Sequence, residues 1–341
     1  MNVTYLNVYD AALNRIGTLD TWISLVWDEE YRDKGRFQLE IWASDILSAM
    51  LKEDVFCGIA QSETLAVIKS VSVRDQKLVC AGYMAIGALE ERVGMRQVMG
   101  EKAEDAMRAL ISEMAAYSPI ALGTKKGYST VFDAELRDTS VMEYLQTISE
   151  ATDIGYMLRF DNANKKLLFE CYQPTANVNA RYATAYGNLG DIEFSSSVMD
   201  FRNVAVVVNT YSETVGEGDA KETVENRQVF RVGATSKTGS DRKEMIVKTG
   251  LVPEEGESTA DFQARIKAEG EAALIERAKV ENIKFKVDDE RTQLGDVITV
   301  LLPELNFNLT VRVIGVQITS QNNKTTRELS VGTPITRHRR K

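Results

Sequence analysis

Histidine is the side chain most suited to proton transfer near neutral pH, and this chain contains one, His338. It lies in a basic run at residues 336–341. A nucleophilic serine or cysteine needs an imidazole that is held in a packed site, and zinc motifs such as HExxH need two histidines. The sequence therefore predicts a protein without histidine-dependent catalysis.

Paired carboxylates could still support chemistry, because glycoside hydrolysis needs only two acidic side chains on opposite faces of a cleft. The candidates are the acidic groups at residues 28–30, 254–255 and 288–290. Each group lies beside turn-like or charged sequence, which is typical of a solvated loop or a helix cap. With 50 acidic residues in the chain, such groups also arise by chance. We therefore expect no enzyme activity, and a carboxylate-dependent cell-wall hydrolase is the alternative hypothesis.

Two glycine-containing segments partly match phosphate-binding motifs. Residues 123–130 contain two lysines but lack the GK[ST] ending, so the lysine and the hydroxyl are misplaced for a nucleotide and its Mg²⁺. Residues 216–219 lack a third glycine and carry two acids that would repel a pyrophosphate. Both segments are predicted to be hairpin turns, and we expect neither a cofactor nor a metal ion.

The cysteines, Cys57, Cys80 and Cys171, are far apart and match no CxxC spacing. An odd number of thiols in a reducing compartment favours small buried hydrophobic residues over disulfides or a reactive centre. No run approaches the roughly 18 apolar residues of a membrane span, and the first residues form no signal region. We therefore expect synthesis and folding in a cytoplasm, with no stable insertion into a membrane.

The net charge of −9 argues against a nucleic-acid-binding groove, which needs clustered lysine and arginine to replace counterions. The basic run at residues 336–341 is a local exception. A terminus of this kind is typical of a solvated end, and docking onto an acidic partner is the alternative.

The pattern along the 341 residues predicts a mostly β protein with an α+β middle. Alternation with period two indicates strands in the first quarter of the chain and again after residue 181. Between them, two amphipathic helices precede a strand pair; a capping box at Ser140 starts the second helix, and Gly155 follows its end. A capping box at Ser258 starts an alanine-rich helix, which we expect to lie against a surface with little room. The predicted domains are residues 1–95, 96–178 and 179–335, the last with a helical insertion at 257–282, followed by the tail 336–341.

Short motifs in a fixed order span nearly the whole chain. An aromatic and acidic segment at 25–31 precedes an alternating strand at 35–41, residues 154–160 join a helix to a strand, and a buried strand follows 201–203. Together these motifs resemble the siphophage tail-hub family, tail-associated proteins whose N-terminal part shares the fold of contractile-tail baseplate hubs. The residues that carry the resemblance are of scaffold type: Trp27, Gly35, Phe37, Gly155, Asn203, Asp241, Arg242, Gly295 and Asp296.

Two of these pairs have expected roles. Gly295 and Asp296 can turn tightly before a strand, and Asp241 and Arg242 could make a charge-assisted bond. None of the residues forms a reactive constellation, which agrees with a non-enzymatic protein.

The resemblance implies two barrel-like β domains that flank a small α/β domain, and a trimer around the tail axis. The resulting pseudo-sixfold ring would match the distal tail protein ring, meet the end of the tape-measure protein, and join a central spike, fibre or receptor-binding protein. DNA or effector would pass the lumen without specific binding, because a net negative charge repels a polyanion. The implied location is the tail tip of a virion that is assembled in the host cytoplasm, and a virus and a tailocin both fit.

Many proteins of this family continue into a lytic or receptor-binding extension, which this sequence lacks, so we expect another protein to hold any lytic or adhesive role. A receptor-binding or carbohydrate-binding tail module is the second alternative, and it predicts an exposed aromatic platform. The tryptophans Trp22, Trp27 and Trp42 stand among apolar strand residues. We therefore expect them to be buried.

Overall fold

The computed structural model describes residues 3–60, 62–114, 119–132, 139–215, 222–254, 256–277, 280–287, 292–303, 307–321 and 324–332. The described residues contain far more strand than helix, which confirms the mostly β class with its α+β middle. The chain divides into two compact units: unit 1 is Met1–Phe194 with Asn282–Lys341, and unit 2 is Ser195–Glu281. The domain boundaries at residues 95 and 178 stay a prediction.

The N-terminal segment of unit 1 is a run of antiparallel strands, because its residues alternate between apolar and polar. In β4 the side chains of Phe37, Leu39 and Ile41 are buried, and the residues between them are more exposed. The elements of this segment are β1 (Leu6–Tyr9), β2 (Arg15–Leu19), β3 (Ser24–Glu30), β4 (Arg36–Trp42), α1 (Asp45–Met50), β5 (Phe56–Ile59), β6 (Ala66–Arg74), β7 (Lys77–Met84) and the 3-10 helix Ala85–Glu91.

The middle segment places two helices against a three-stranded sheet. Its elements are β8 (Val93–Gly94), β9 (Glu101–Lys102), α2 (Ala103–Met114), β10 (Ile120–Leu122), β11 (Val131–Phe132), β12 (Thr139–Ser140), α3 (Val141–Thr152), β13 (Gly155–Asp161) and β14 (Lys166–Tyr172). The sheet order is β10-β14-β13, with β10 parallel to β14. Met107, Leu110, Leu145 and Ile148 on the apolar helix faces form one core with Phe169 of the sheet, so the predicted amphipathic helices are confirmed.

The start of α3 follows its predicted capping signal, because Ser140 Oγ accepts a hydrogen bond from Glu143 N at 3.2 Å. Its end differs from the expectation. The left-handed residue that ends the helix is Asp153, with φ of 56°, whereas Gly155 is already the first residue of β13. Aspartate adopts this conformation more readily than most residues, and its carboxylate is thereby placed at the helix end.

The C-terminal strands of unit 1 extend the N-terminal sheet. The remaining elements of the chain are β15 (Ala176–Ala183), β16 (Gly190–Ser197), β17 (Val204–Val215), β18 (Glu222–Gly233), β19 (Glu244–Thr249), α4 (Thr259–Glu276), β20 (Val280–Lys286), β21 (Val297–Leu302), β22 (Phe307–Gln321) and β23 (Lys324–Gly332). The thirteen-stranded sheet has the order β16-β20-β23-β22-β3-β4-β7-β6-β5-β1-β2, with β21 paired to β22 and β15 to β21. Among the described strands this path stays open, so the barrels implied by the resemblance are not closed.

Strand β22 joins the two ends of the chain. Its first part pairs with β21 and its last part, from Gly315 to Gln321, pairs with β3, while β23 runs along its other edge. The register with β23 shifts between Val313 and Gly315, where β22 passes from one partner to the next. An irregularity at such a point bends a strand and lets it serve two neighbours.

Unit 2 is a three-stranded sheet covered by one helix. β17 pairs with β18 antiparallel along its whole length and with β19 in parallel. Phe262 and Ile266 of α4 share a core with Val207 of β17. A Cβ on Gly270 would come within 2.3 Å of Val207 Cγ2, so the small residues of the helix allow the close approach that its composition predicted. At the predicted start of this helix, Ser258 Oγ accepts a hydrogen bond from Asp261 N at 3.2 Å.

All three cysteines, Cys57, Cys80 and Cys171, are buried and free, which confirms their prediction as small core residues. Burial raises the pKa of the Cys80 thiol to about 11 and that of Cys171 to about 12, so both thiols stay protonated near neutral pH.

None of the helices in the described ranges is long and apolar enough to span a membrane.

The tryptophans differ in their exposure. Trp27 is buried, Trp22 is half-buried and Trp42 is 61% exposed, so the predicted burial of Trp42 is wrong. Alternation explains the error, because Ile41 takes the inward position at the end of β4 and the next residue faces outward. There Lys77 covers part of the ring, with its Nζ 5.7 Å from the ring centroid.

We expect Trp27→Ala to lower the free energy of unfolding by about 3–5 kcal/mol, because it leaves a large cavity in the core. Trp42→Ala is the matched control and should cost less than about 1 kcal/mol, because most of that side chain is already in water. Urea unfolding followed by circular dichroism measures both variants. Equal losses at the two positions would contradict the burial described above.

Candidate functional site

Arg32 is one of the side chains through which the N-terminal segment contacts the middle segment. It lies in the turn between β3 and β4 and is mostly buried. Its Nε donates to Ser149 Oγ at 2.7 Å, and its Nη2 donates to Ser149 O at 2.7 Å and to Asp153 Oδ1 at 3.0 Å. Ser149 and Asp153 lie at the C-terminal end of α3, where unpaired carbonyls favour a cation. Arg32 therefore caps a helix of another segment.

Arg312, on β22, brings the C-terminal segment to the same carboxylate. Its Nη2 donates to Asp153 Oδ2 at 2.9 Å and its Nη1 donates to Gly295 O at 2.9 Å. Each oxygen of Asp153 thus accepts from one arginine, and charge-assisted bonds of this kind are roughly twice as strong as neutral ones. We call the cluster of Tyr31, Arg32, Asp153, Gly295 and Arg312 the three-segment junction.

Tyr31 fills the centre of the three-segment junction. Its ring centroid lies 4.6 Å from Arg32 Cζ and 5.4 Å from Arg312 Cζ, which is within the range of cation–π attraction. Burial raises the pKa of its hydroxyl. Gly295 packs directly on the ring: its φ is +85°, and an added Cβ would lie 2.7 Å from Tyr31 Cε2. Conformation and space both require glycine at this position.

Asp296 shapes the turn that places Gly295. Its backbone N–H donates to Gln293 O at 3.2 Å, while its Oδ2 accepts from Gln293 N at 3.1 Å. Its Oδ1 accepts from Thr175 Oγ1 at 3.4 Å. Gly295 and Asp296 thus form a tight turn before β21, as their sequence indicated.

A cleft of about 480 Å³ lies within unit 1 and shares Arg32 and Asp296 with this region. Its lining also includes Glu63, Tyr156 and Tyr172. Burial raises the pKa of both tyrosine hydroxyls, which keeps them neutral at physiological pH. The cleft therefore presents carboxylates, neutral hydroxyls and apolar side chains together.

The hydrolase alternative requires two opposed acids in a cleft and a raised pKa on one of them. Glu29 lines the cleft, but its Oε1 accepts hydrogen bonds from Trp27 Nε1 and Thr64 Oγ1, both at 2.8 Å. Burial raises the pKa of the neighbouring Asp28 carboxyl, yet Asp28 is not among the residues that line the cleft. The cleft therefore does not place the acid with the raised pKa opposite a second carboxylate.

Glu30 also lines the cleft, but it follows Glu29 directly on β3 and so does not face it across the cleft. Glu254 forms an ion pair with Arg265 at 3.0 Å. Among the described residues, no cluster of three or more side chains could hold a metal ion. Several predicted features lie outside the described residues: Glu255, residues 216–219 and 288–290, His338 and the tail 336–341.

The loop at residues 123–130 binds a carboxylate of its own chain. Glu104, in the first turn of α2, is fully buried. Its Oε1 accepts from Lys126 N at 2.6 Å, and its Oε2 accepts from Gly127 N at 2.6 Å and from Tyr128 N at 3.0 Å. The backbone donors that a phosphate would need are therefore occupied. The predicted hairpin is wrong here, because β10 pairs with β14 and β11 pairs with β9.

Four residues of the family resemblance are packing positions in unit 1. Trp27 and Phe37 lie opposite each other on β3 and β4, with ring centroids 6.0 Å apart. Gly35 belongs to the turn between these strands. Gly155 starts β13, where an added Cβ would lie 2.6 Å from Tyr172 Cζ. These positions hold strands and helices together and leave no reactive group exposed.

Asn203, Asp241 and Arg242 lie together in unit 2. Asn203 Nδ2 donates to Asp241 O at 2.7 Å, and Asn203 Oδ1 accepts from Lys243 N at 2.8 Å. The expected charge-assisted bond is made by Arg242 to Glu244 at 2.6 Å, and not to Asp241. Residues two apart in an extended segment point to the same side, which explains this choice of partner.

Sequence reasoning missed the charged residues of the three-segment junction. Arg32 is separated from Asp153 by 121 residues and Arg312 by 159, and such distant ion pairs leave no periodic signal. The sequence could have indicated Tyr31 and Gly295 of this junction, because each stands in a motif of the family resemblance.

The fold is that of phage tail proteins. The 43 kDa tail protein of prophage MuSo2 from Shewanella oneidensis matches with a TM-score of 0.61 and 9% identity, over 96% of this chain and 98% of that chain. The tail protein from Neisseria meningitidis MC58 matches with 0.57 and 14% identity, over 96% of each chain. Prophage tail protein gp18 from Listeria monocytogenes EGD-e matches with 0.54 and 10% identity, over 98% and 95%. At these identities the likeness is one of fold.

A family model of siphovirus ReqiPepy6 Gp37-like proteins matches residues 5–333. The chain therefore belongs to this family, which confirms the predicted resemblance to siphophage tail proteins. No curated protein matches the sequence significantly.

Arg32→Met should lower the free energy of unfolding by about 2–4 kcal/mol, because it removes three hydrogen bonds and leaves the end of α3 without its cation. Arg74→Met is the control. Arg74 is exposed and lies 3.7 Å from Asp75, so its loss should change stability by less than about 0.5 kcal/mol. Urea unfolding measures both variants, and a loss at Arg32 no larger than at Arg74 would argue against the three-segment junction as a stabilising contact.

Glu104→Gln keeps the shape of the side chain but turns one acceptor oxygen into a donor that faces backbone N–H groups. We expect the free energy of unfolding to fall by about 2–3 kcal/mol. Asp105→Asn, at the next position of α2, removes only a surface ion pair with Lys125 and should cost less than about 0.5 kcal/mol. If both variants unfold at the same urea concentration, the hydrogen bonds of the Glu104 carboxylate do not stabilise the 123–130 loop.

Proposed function

We propose that the protein is a structural hub subunit at the tail tip of a phage or phage-tail-like particle. Its copies form an axial ring that joins the distal tail layer to a central spike or fibre. The observation that carries the proposal is the family match over residues 5–333. It is supported by a sheet that builds both ends of the chain into one scaffold, since a subunit under load along a tail axis needs a continuous framework.

A non-enzymatic role is part of this proposal. It is supported by the cleft of unit 1, where the Glu29 carboxylate accepts hydrogen bonds from Trp27 and Thr64 and the half-buried acid Asp28 lies outside the lining. Opening for the passage of DNA or effector is then a change of conformation without bond chemistry. The residues that matter for function are those at contacts between subunits.

The proposed assembly is a homotrimer around the tail axis. Its partners are the distal tail protein ring, the end of the tape-measure protein, and a central spike, fibre or receptor-binding protein. The net charge of −9 lets DNA pass the lumen without specific binding. The division at residues 95 and 178 belongs to the same proposal, with the two β parts forming a pseudo-sixfold ring in a virion assembled in the host cytoplasm.

The first test is the mass of the purified protein in solution, measured by light scattering over a concentration series. We expect a species of about three times 38.0 kDa, because a closed ring of identical subunits has cyclic symmetry. Immunogold labelling of intact particles should then place the protein at the tail tip. Labelling along the tail tube or on the capsid would contradict a hub.

A peptidoglycan-release assay separates the structural proposal from the hydrolase alternative. A structural hub should release no soluble wall fragments above the background of a heat-unfolded sample. Release that is lost on substitution of an acid in the cleft would favour the hydrolase.

A further inference from the structure

The Glu29 carboxylate in the cleft of unit 1 is held by uncharged donors. Its Oε1 accepts hydrogen bonds from Trp27 Nε1 and Thr64 Oγ1, both at 2.8 Å, and from Ser62 Oγ at 2.5 Å. Within the described part of the chain, its Oε2 accepts no hydrogen bond and no cation forms an ion pair with it. The side chain is therefore fixed in the lining of the cleft while its negative charge is not compensated.

Asp296 is a second carboxylate of this kind. It lines the same cleft and is 9% exposed. Its oxygens accept hydrogen bonds from Gln293 N and Thr175 Oγ1, which are uncharged, and no described cation forms an ion pair with it. A carboxylate is rarely buried to this extent without a cation beside it, because burial removes the water that stabilises its charge. Both carboxylates therefore favour a positively charged occupant of the cleft.

Strand β22 sets the spacing of the two carboxylates. Glu29 lies opposite Val316 in the ladder of β3 and β22, and Val313 N donates to Asp296 O at 2.8 Å. Because β23 runs along the other edge of β22 here, both acids are on the same edge. Val313 and Val316 are three positions apart, which corresponds to about 10 Å along a strand. An extended peptide carries residues three positions apart at the same spacing.

The lining of the cleft contains more acids than basic residues. Its basic residues are Arg32 and Arg327, and Arg32 pairs with Asp153, outside the lining, at 3.0 Å. Residues 288–291, which precede the lining residue Thr292 and lie outside the described ranges, contain three acids and one arginine. The acids are in excess with or without these four residues. Those of the lining are Glu29, Glu30, Asp33, Glu63 and Asp296.

The basic run at residues 336–341 begins near this cleft. β23 ends at Gly332, and Val331 lies opposite Val313, the residue whose N–H binds Asp296. Neighbouring strands are about 4.8 Å apart, so Val331 is about 10 Å from Asp296. Three residues separate Gly332 from the run. Since a chain spans at most about 3.5 Å per residue, the run begins within about 14 Å of Gly332, and the cleft is within its reach.

We propose that the cleft of unit 1 binds the basic run 336–341 of its own chain, with guanidinium groups of the run against Glu29 and Asp296. Guanidinium binds carboxylates through two hydrogen bonds at once, and the run contains three arginines and one lysine. A short connection holds the run at an effective concentration of roughly millimolar, so the contact needs only modest affinity. It is a contact within one subunit and does not depend on the proposed ring.

The first test is a disulfide between the run and the cleft, formed in the full chain. Glu63→Cys places a thiol at an exposed position of the lining, and His338→Cys places one in the run while all four basic residues stay. Under mild oxidation, this disulfide should form at least about tenfold faster than one from the same run to a position outside the cleft. Peptide mass spectrometry measures both rates.

The matched control combines His338→Cys with Glu53→Cys, because Glu53 is an exposed glutamate of unit 1 that does not line the cleft. The native cysteines are buried, and the wild type gives their background. Equal rates for positions 63 and 53 overturn the inference. Non-reducing electrophoresis should show a cross-linked monomer. A cross-linked dimer would assign the cleft to the run of another copy and overturn binding within one chain.

The second test measures how the contact depends on charge. Trypsin cleaves after arginine and lysine, and a run that is bound in the cleft is protected from it. Glu29→Gln keeps Oε1 as an acceptor but removes the charge, so trypsin should remove the run at least about tenfold faster than in the wild type. Intact-mass spectrometry follows the cleavage of the full chain.

Glu53→Gln is the matched control for the protease experiment and should leave the rate unchanged. Asp33→Asn, at another acid of the lining, replaces Glu29→Gln if circular dichroism shows that the latter is unfolded. If the cleft variant and the wild type lose the run at the same rate, the carboxylates of the cleft do not bind it and the inference is overturned. The hub proposal stands in either case.

Discussion

Strand β22 is the constraint on which the rest of unit 1 depends. A strand inside a sheet needs hydrogen-bonding partners along both edges, and β22 obtains them from β21, β3 and β23. Because β3 lies near the start of the chain and β22 near its end, the ladder between them commits both ends to one sheet. The middle segment therefore packs against strands that stay together as long as this ladder is intact. The neighbours of its helices are fixed in the same way.

Asp153 links the same segments by charge, as the ladder links them by backbone hydrogen bonds. It ends α3 in a left-handed conformation and receives one arginine from each end of the chain. A lone surface ion pair contributes little to stability, but a carboxylate shared by two mostly enclosed guanidinium groups ties three segments at once. The Tyr31 ring between the arginines and the glycine against that ring complete a contact in which each part sets the position of the others.

Three carboxylates of unit 1, only one of them fully buried, act on their own chain. Glu104 holds a loop by its backbone, Glu29 binds the side chains of Trp27 and Thr64, and Asp153 binds its two arginines. Such roles suit a member of a siphovirus tail-protein family.

The sequence by itself determined the mostly β class, the helix starts at Ser140 and Ser258, the burial of the cysteines and the family, because periodicity, capping and short motifs are local properties. The tertiary structure alone decided that the two ends of the chain share one sheet, that residues 123–130 wrap around Glu104, and that two arginines meet at Asp153. It also turned Trp42 outward at the end of an alternating strand. These features depend on strand register and on contacts between residues as far as 159 positions apart, which no local pattern encodes.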